Sequence, residues 1–268
     1  MGQEFAIEAN SLGKLYTLGG GQRARVHEAI DRVVRRSLGL SRPVPKESFW
    51  AVRDCSLAIR KGETVGILGH NGAGKSVLLK MLSRVIKPTT GNAVLRGRVV
   101  SLLELGAGFN PEMTGRENIY FYGAILGVRQ AQMAARLDEI VDFAGIARFI
   151  DEPTKNYSSG MYARLAFSVA AHVEADVLLI DEVLAVGDVA FRAKCVDRLQ
   201  IASAHGATIL FVSHSVEMVK TLCTRCLVLN SGDLVFNGSP DEAIQIYTQG
   251  RNTNGTDHPA DARRLAQV

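Results

Sequence analysis

Apolar and polar residues alternate around Phe5 and Ile7, and again at Cys55, Leu57 and Ile59. A period of two predicts β-strands with one buried face near the N-terminus. Residues 17–48 interrupt this pattern. The interruption begins around Gly19-Gly20-Gly21 and ends on Pro43 and Pro45, both loop signals. Inside it Val26, Ile30, Val33, Val34 and Leu38 recur at helical spacing among Arg23, Arg25, Arg32, Arg35 and Arg36. This predicts a short, basic amphipathic helix inserted between two strands.

From Thr64 onward the pattern becomes β then α. TVGIL (64–68) predicts a buried strand, Lys75 to Val85 a helix closed by Lys87-Pro88, and VVSLL (99–103) another short strand. Thr114 and Glu117 have the spacing of a capping box that opens a helix, and helical periodicity continues through Leu137, Ile140 and Val141. VLLI (177–180) and TILFV (208–212) are fully apolar, as parallel strands covered on both faces should be. Cys226–Leu229 and Leu234–Phe236 flank Ser231-Gly232-Asp233 as a hairpin would, and Ser239-Pro240-Asp241-Glu242 caps a last helix. Beyond Gly250 the chain is polar and patternless, so 251–268 reads as a flexible tail.

The composition, 47% hydrophobic and 22% charged over 268 residues, is that of a globular chain with a sizeable core. No run of 18 apolar residues is present to span a bilayer, and MGQEFAIEAN lacks a signal peptide's basic and apolar regions, so residence in the cytosol is expected. Residues 22–46 hold seven Lys or Arg against two acids, which more than accounts for the net charge of +4. One basic helix is a weak electrostatic footprint for DNA or RNA, and no nucleic-acid partner is expected. Cys55, Cys195, Cys223 and Cys226 are too few and scattered for a disulfide framework. Cys223 and Cys226 form a CxxC, but no second ligand pair completes a zinc site, and they read as small residues where a helix meets a strand.

The chemistry concentrates after the strands. Gly69-His70-Asn71-Gly72-Ala73-Gly74-Lys75-Ser76 fits GxxxxGK[ST], follows a strand and opens a helix. Glycines let backbone N–H groups close around phosphate oxygens, and the helix N-terminus adds favourable dipole charge. Lys75 would reach the β- and γ-phosphates of a nucleotide, and Ser76 would hold Mg²⁺. The run 177–180 ends in Asp181 and Glu182, suited to Mg²⁺ coordination and to polarising an attacking water. His214 follows the run 208–212 and so falls at the same sheet edge, where it would contact the γ-phosphate.

In this order and spacing the motifs resemble the nucleotide-binding subunits of ABC transporters, over about residues 4–250. Tyr157-Ser158-Ser159-Gly160-Met161 stands where the family has LSGGQ. Ser158 and Gly160 match it, while Ser159 replaces the first Gly and Met161 the Gln. Val186-Gly187-Asp188 falls at the D-loop and His214 at the switch histidine. The resemblance implies an α/β fold of the P-loop ABC type in one domain, 1–250. That domain has a parallel RecA-like core, an N-terminal antiparallel β subdomain and a helical subdomain over about 111–175. It implies ATP and Mg²⁺ as ligands, bound by His70, Asn71, Gly72, Ala73, Gly74, Lys75, Ser76 and Val77. Ser158, Ser159, Gly160 and Asp188 would act on the nucleotide in a head-to-tail dimer of two copies. Glu182 and His214 would be catalytic, and Ser76 and Asp181 would hold the metal. Tyr16 would stack on adenine, with Trp50 as competitor.

The family's Q-loop glutamine falls at Leu105, and the nearest polar candidate for its metal contact is Glu104. LELGAGF (103–109), Thr114-Gly115-Arg116-Glu117-Asn118, the YSSGM signature and the basic insert are similar to one subfamily. These are the ATPases of bacterial exporters of O-antigen, teichoic acid and related lipid-linked polysaccharides. That resemblance implies a separate transmembrane permease, a lipid-linked glycan as cargo, and a peripheral position on the cytoplasmic face of the cell membrane. An ABC ATPase exporting a lipid or drug, and a soluble ABC-type ATPase without a permease, are the alternatives.

Overall fold

The computed structural model describes residues 4–17, 47–103, 105–181, 187–213 and 215–253, the last four without their side chains. The N-terminal alternation folds into β1 (Phe5–Thr17) and β2 (Ser48–Arg60), an antiparallel pair. Thr17 and Ser48 are ladder partners, and residues 18–46, which include the expected basic helix, lie outside the described part. Next come β3 (Thr64–Leu68), α1 (Lys75–Leu82), β4 (Thr90–Leu95) and β5 (Val99–Ser101). A helical stretch follows as α2 (Gly115–Ile125), α3 (Gln130–Ala135), α4 (Leu137–Ala144) and α5 (Ser159–Ala171). The chain then returns to the sheet through β6 (Val177–Ile180), α6 (Val189–Ala204), β7 (Thr208–Val212) and α7 (Val216–Leu222). It closes with β8 (Arg225–Asn230), β9 (Asp233–Gly238) and α8 (Pro240–Thr253).

Among the described residues these strands form two sheets. One is antiparallel, in the order β2-β1-β4; the other is ordered β5-β6-β7-β3-β8-β9, parallel except for the edge strand β9. Alternate residues of the central strands serve two different cores, which is why their sequences are apolar throughout. Val65, Ile67, Val177, Leu179, Leu210 and Val212 pack with α1 and with Ile7, Leu12 and Val52 of the antiparallel sheet. Leu178, Ile180, Ile209, Phe211 and Val228 point the other way, against the helices, where Leu165, Phe167 and Phe191 are nearly inaccessible. Cys223 and Cys226 sit at the join of α7 and β8 with their sulfurs against Gly66, a structural position.

Two helix ends differ from the sequence pattern. Helix α1 stops at Leu82 and not at Val85, because Arg84 takes a left-handed φ of 62°. Helix α8 runs past Gly250 to Thr253, three residues into the expected tail. The capping box of α2 forms as predicted. Thr114 Oγ1 accepts from Glu117 N at 3.2 Å, and Glu117 Oε2 accepts from Thr114 N at 2.8 Å. No helix among the described residues is long and apolar enough to cross a membrane.

Candidate functional site

The strand β3 ends at Leu68 and the chain reaches α1 through residues 69–74, so the loop emerges at the carboxyl edge of a parallel sheet. Two glycines shape it. Gly74 is the N-cap of α1 with φ 101°, and a Cβ there would stand 2.2 Å from the carbonyl oxygen of Ala51. Gly72 has φ 81°, suited to the third position of the turn closed by Ala73 N donating to His70 O at 3.1 Å. A Cβ on Gly72 would meet nothing within 4 Å, so that stretch of backbone is open. The N-terminus of α1 receives no side-chain cap, which leaves its N–H groups to another acceptor. Lys75 is 5% exposed, and its Nζ donates to Gly69 O at 2.7 Å and His70 O at 2.9 Å. Open N–H groups, a helix dipole and a lysine in one concavity make an anion site of the phosphate-binding kind.

This loop forms one wall of a cleft of about 660 Å³ lined by Tyr16, Phe49, Trp50, Ala51, residues 71–77 and Ser231. Both aromatic candidates reach it. The Trp50 ring leans over Gly13, whereas Tyr16 is 36% exposed and stacks on Phe49 with centroids 5.8 Å apart. Lys14 Nζ lies 5.5 Å from the Tyr16 ring centroid. Phe49 is a lining residue that sequence reasoning missed. Its only signal is its partnership with Tyr16 across the β1–β2 ladder, which depends on a register the sequence does not specify.

The other predicted residues distribute as follows. Asp181 follows β6, and Ile180 is the ladder partner of Phe211 in β7; Val212 of β7 is in turn the partner of Ile67 in β3. The carboxylate position and the phosphate loop therefore share one edge of the sheet, one strand apart. Glu182, His214 and Glu104 lie outside the described residues. Ser158 is the N-cap of α5, its Oγ accepting from Met161 N at 3.2 Å, and Ser159 and Gly160 form the first turn. None of these three lines the cleft. Asp188 caps α6, its Oδ1 accepting from Phe191 N at 2.8 Å.

The segment that replaces the expected Q-loop is fastened to the helices. Tyr162 of α5 donates its hydroxyl to Gly106 O at 2.8 Å, and Phe109 contacts both Tyr122 and Tyr162, with centroids 5.3 and 5.0 Å away. Asn118, fully buried in α2, holds the next turn by bonding to Asn110, Met113 and Thr114.

Comparison with known proteins agrees with this geometry. The family described as ABC transporter matches residues 52–185. The O-antigen export system ATP-binding protein RfbB of Klebsiella pneumoniae is 48% identical over 75% of this chain and 82% of its own length. The teichoic acids export ATP-binding protein TagH of Listeria monocytogenes is 38% identical over 93% of this chain and 71% of its own. The ABC transporter protein AbcA of Aeromonas salmonicida is 54% identical over 74% of this chain, a match spanning 65% of AbcA. Among solved structures, a dimeric post-hydrolysis ATP-binding cassette bound to ADP and Pi superposes with a TM-score of 0.68. It is 18% identical and is matched over 87% of this chain and 98% of its own, which shows a shared fold. With a family match over residues 52–185 and relatives this similar, the chain belongs to the ABC transporter family as one of its ATPase cassettes.

Proposed function

We propose that this chain binds and hydrolyses ATP to drive export of a lipid-linked polysaccharide, working with a separate transmembrane permease on the cytoplasmic face of a bacterial cell membrane. The observation that carries the nucleotide reading is the phosphate loop. Its backbone is open at Gly72, its helix is uncapped, and Lys75 is held within the loop. The polysaccharide cargo is supported by similarity to RfbB and TagH, whose names state O-antigen and teichoic acid export.

In this reading the base stacks on Tyr16, with Phe49 extending the apolar wall, and the phosphates lie along residues 70–77. Lys75 exchanges its carbonyl partners for phosphate oxygens and offsets their charge. Ser76 and Asp181, at one sheet edge, fit a hard cation with oxygen ligands and would hold Mg²⁺. Bound there, Mg²⁺ supplies charge neutralisation on the β- and γ-phosphates. Glu182, next to Asp181, accepts the proton of the attacking water, and His214, which follows β7, contacts the γ-phosphate. Ser158, Ser159 and Gly160 do not line this chain's own cleft, so a second copy presents them across a head-to-tail dimer.

The test separates binding from hydrolysis. Lys75→Ala should lose ATP binding in a fluorescent-nucleotide titration. Glu182→Gln should bind ATP normally while phosphate release falls by about 10² to 10⁴, the usual contribution of a general base. ATP affinity unchanged by Lys75→Ala would refute the site, and near-normal turnover by Glu182→Gln would remove Glu182 from its role.

A further inference from the structure

The phosphate loop has a neighbour that the proposed chemistry does not use. Helix α8 starts from a cap in which Ser239 Oγ accepts from Glu242 N at 3.4 Å, and it buries Ala243, Ile244 and Tyr247. Tyr247 is only 5% exposed, and its ring faces His70 with centroids 5.2 Å apart and planes inclined at 33°. His70 is the second residue of the phosphate loop.

The backbone of His70 makes this contact consequential. Its carbonyl accepts from Lys75 Nζ at 2.9 Å and from Ala73 N at 3.1 Å, so one peptide group fixes both the loop's turn and the lysine. The loop is also held by the buried Ala73 side chain and through its backbone. Gly232 N donates to Ala73 O at 3.1 Å from the β8–β9 hairpin, and Arg53 N donates to Gly232 O at 2.8 Å. The hairpin is itself anchored by Arg53, whose guanidinium reaches both carboxylate oxygens of Asp233 at 2.9 and 2.6 Å. Against that frame, the His70 side chain is a handle by which the last helix grips the loop.

We infer that Tyr247 is a positioning residue for the phosphate loop, acting through the His70 ring, so that α8 sets the affinity of the nucleotide site. This rests on the proposal that the loop binds ATP. Displacement of α8 would release His70, shift its carbonyl, and free the 70–73 turn to sample arrangements whose N–H groups grip phosphate less well.

The experiment uses the full chain, with ATP affinity measured by fluorescent-nucleotide displacement and turnover by phosphate release. Tyr247→Leu and His70→Ala should each weaken ATP binding about 3- to 10-fold, the range an aromatic pair supplies, with a smaller effect on kcat. Tyr247→Phe keeps the ring and should bind ATP more tightly than Tyr247→Leu. The double variant Tyr247→Leu, His70→Ala should bind no more weakly than the worse single variant, because both remove one contact. Additive losses would overturn the inference, as would a Tyr247→Leu protein that melts earlier but binds ATP normally. His70 is half-buried on a loop, so if Tyr247→Leu folds poorly the test passes to His70→Phe, which keeps a ring against Tyr247 and should bind ATP more tightly than His70→Ala; equal affinity of the two would overturn the inference. Lys75→Ala is the control for the underlying reading. If the parent chain fails to bind ATP, or binds it equally well without the Lys75 amine, the nucleotide site falls. Sound parental binding with silent or additive Tyr247 variants sinks only the role of α8.

Discussion

Replacing Asn118 tests whether one buried amide holds the turn that leads into the helical stretch. Its Oδ1 accepts from Asn110 N at 2.8 Å. Its Nδ2 faces Asn110 O, Met113 O, Thr114 O and Thr154 Oγ1 at 3.0 to 3.2 Å. An amide has two N–H groups, so these four acceptors share two donors, and the side chain supplies three bonds and not five. In Asn118→Ala the carbonyls keep other donors. Thr154 Oγ1 still serves Asn110 O, Thr154 N serves Met113 O, and Asn118 N serves Thr114 O. The Asn110 N–H loses its acceptor. One stranded donor at about 1–3 kcal/mol plus two lost bonds at about 0.5–1.5 kcal/mol each gives a loss of about 4 kcal/mol. With a urea m-value of about 3 kcal/mol/M, the midpoint should fall by about 1.3 M at unchanged slope, followed by far-UV circular dichroism.

Asn118→Asp sharpens the test. The carboxylate keeps an acceptor for Asn110 N but turns an oxygen towards three carbonyls, which favours the protonated acid in the fold. Its folded pKa is then raised above the unfolded value of about 3.9. Stability relative to the parent is therefore best below about pH 4 and declines as pH rises towards the raised value. A deficit equal at pH 4 and pH 7.5, or a midpoint shift under about 0.2 M for Asn118→Ala, would refute this account of the turn.

Two further outcomes are expected. Burial draws the Glu63 carboxyl upward, but the hydrogen bonds from Arg225 and Arg60 N and their charges outweigh it and hold the group below the usual range. Glu63 thus stabilises the fold above its unfolded pKa of about 4.3, and that contribution is lost as pH falls through the lower folded value. Glu63→Gln should be less stable than the parent at pH 7 and the gap should close on acidification; a gap constant to pH 3 in urea titrations contradicts this. All four cysteines are buried, and desolvation pushes Cys55 up to about 11 and Cys195 to about 12. An aromatic disulfide reagent should therefore label no thiol quickly in the folded chain and all four in guanidinium, and one thiol reacting within seconds at neutral pH would disprove it.

Legibility in the sequence followed how local each cause is. The strands at 64–68, 177–180 and 208–212 could be read to the residue, because a strand buried on both faces must be apolar along its length. The capping box at Thr114 and the hairpin at Ser231-Gly232 were equally plain, since each is decided within a few residues. The end of α1 was not, because its helical periodicity continues to Val85 while Arg84 turns left-handed. The phosphate loop was legible from its glycines and lysine. Phe49 and Tyr247 were not, for they reach the cleft or its loop through strand register and through the packing of an element far along the chain. Asp188 was read only as a nucleotide contact; its capping of α6 shows that a structural duty can share the same residue.

The position of β3 in its sheet also bears on how the protein is made. β3 is flanked by β7 and β8, whose residues come more than 140 positions later in the chain. At ribosomal rates of about 5–20 residues per second, the loop-bearing strand waits on the order of ten seconds for either neighbour. Until then the backbone edges of β3 have no strand to pair with, and pairings so distant in sequence are slow to form. The hairpin that braces Ala73 through Gly232, and the helix that carries Tyr247, are translated later still. A nascent chain therefore holds the phosphate-loop sequence long before it holds a phosphate site, and in that interval β3 is a strand with both pairing edges open.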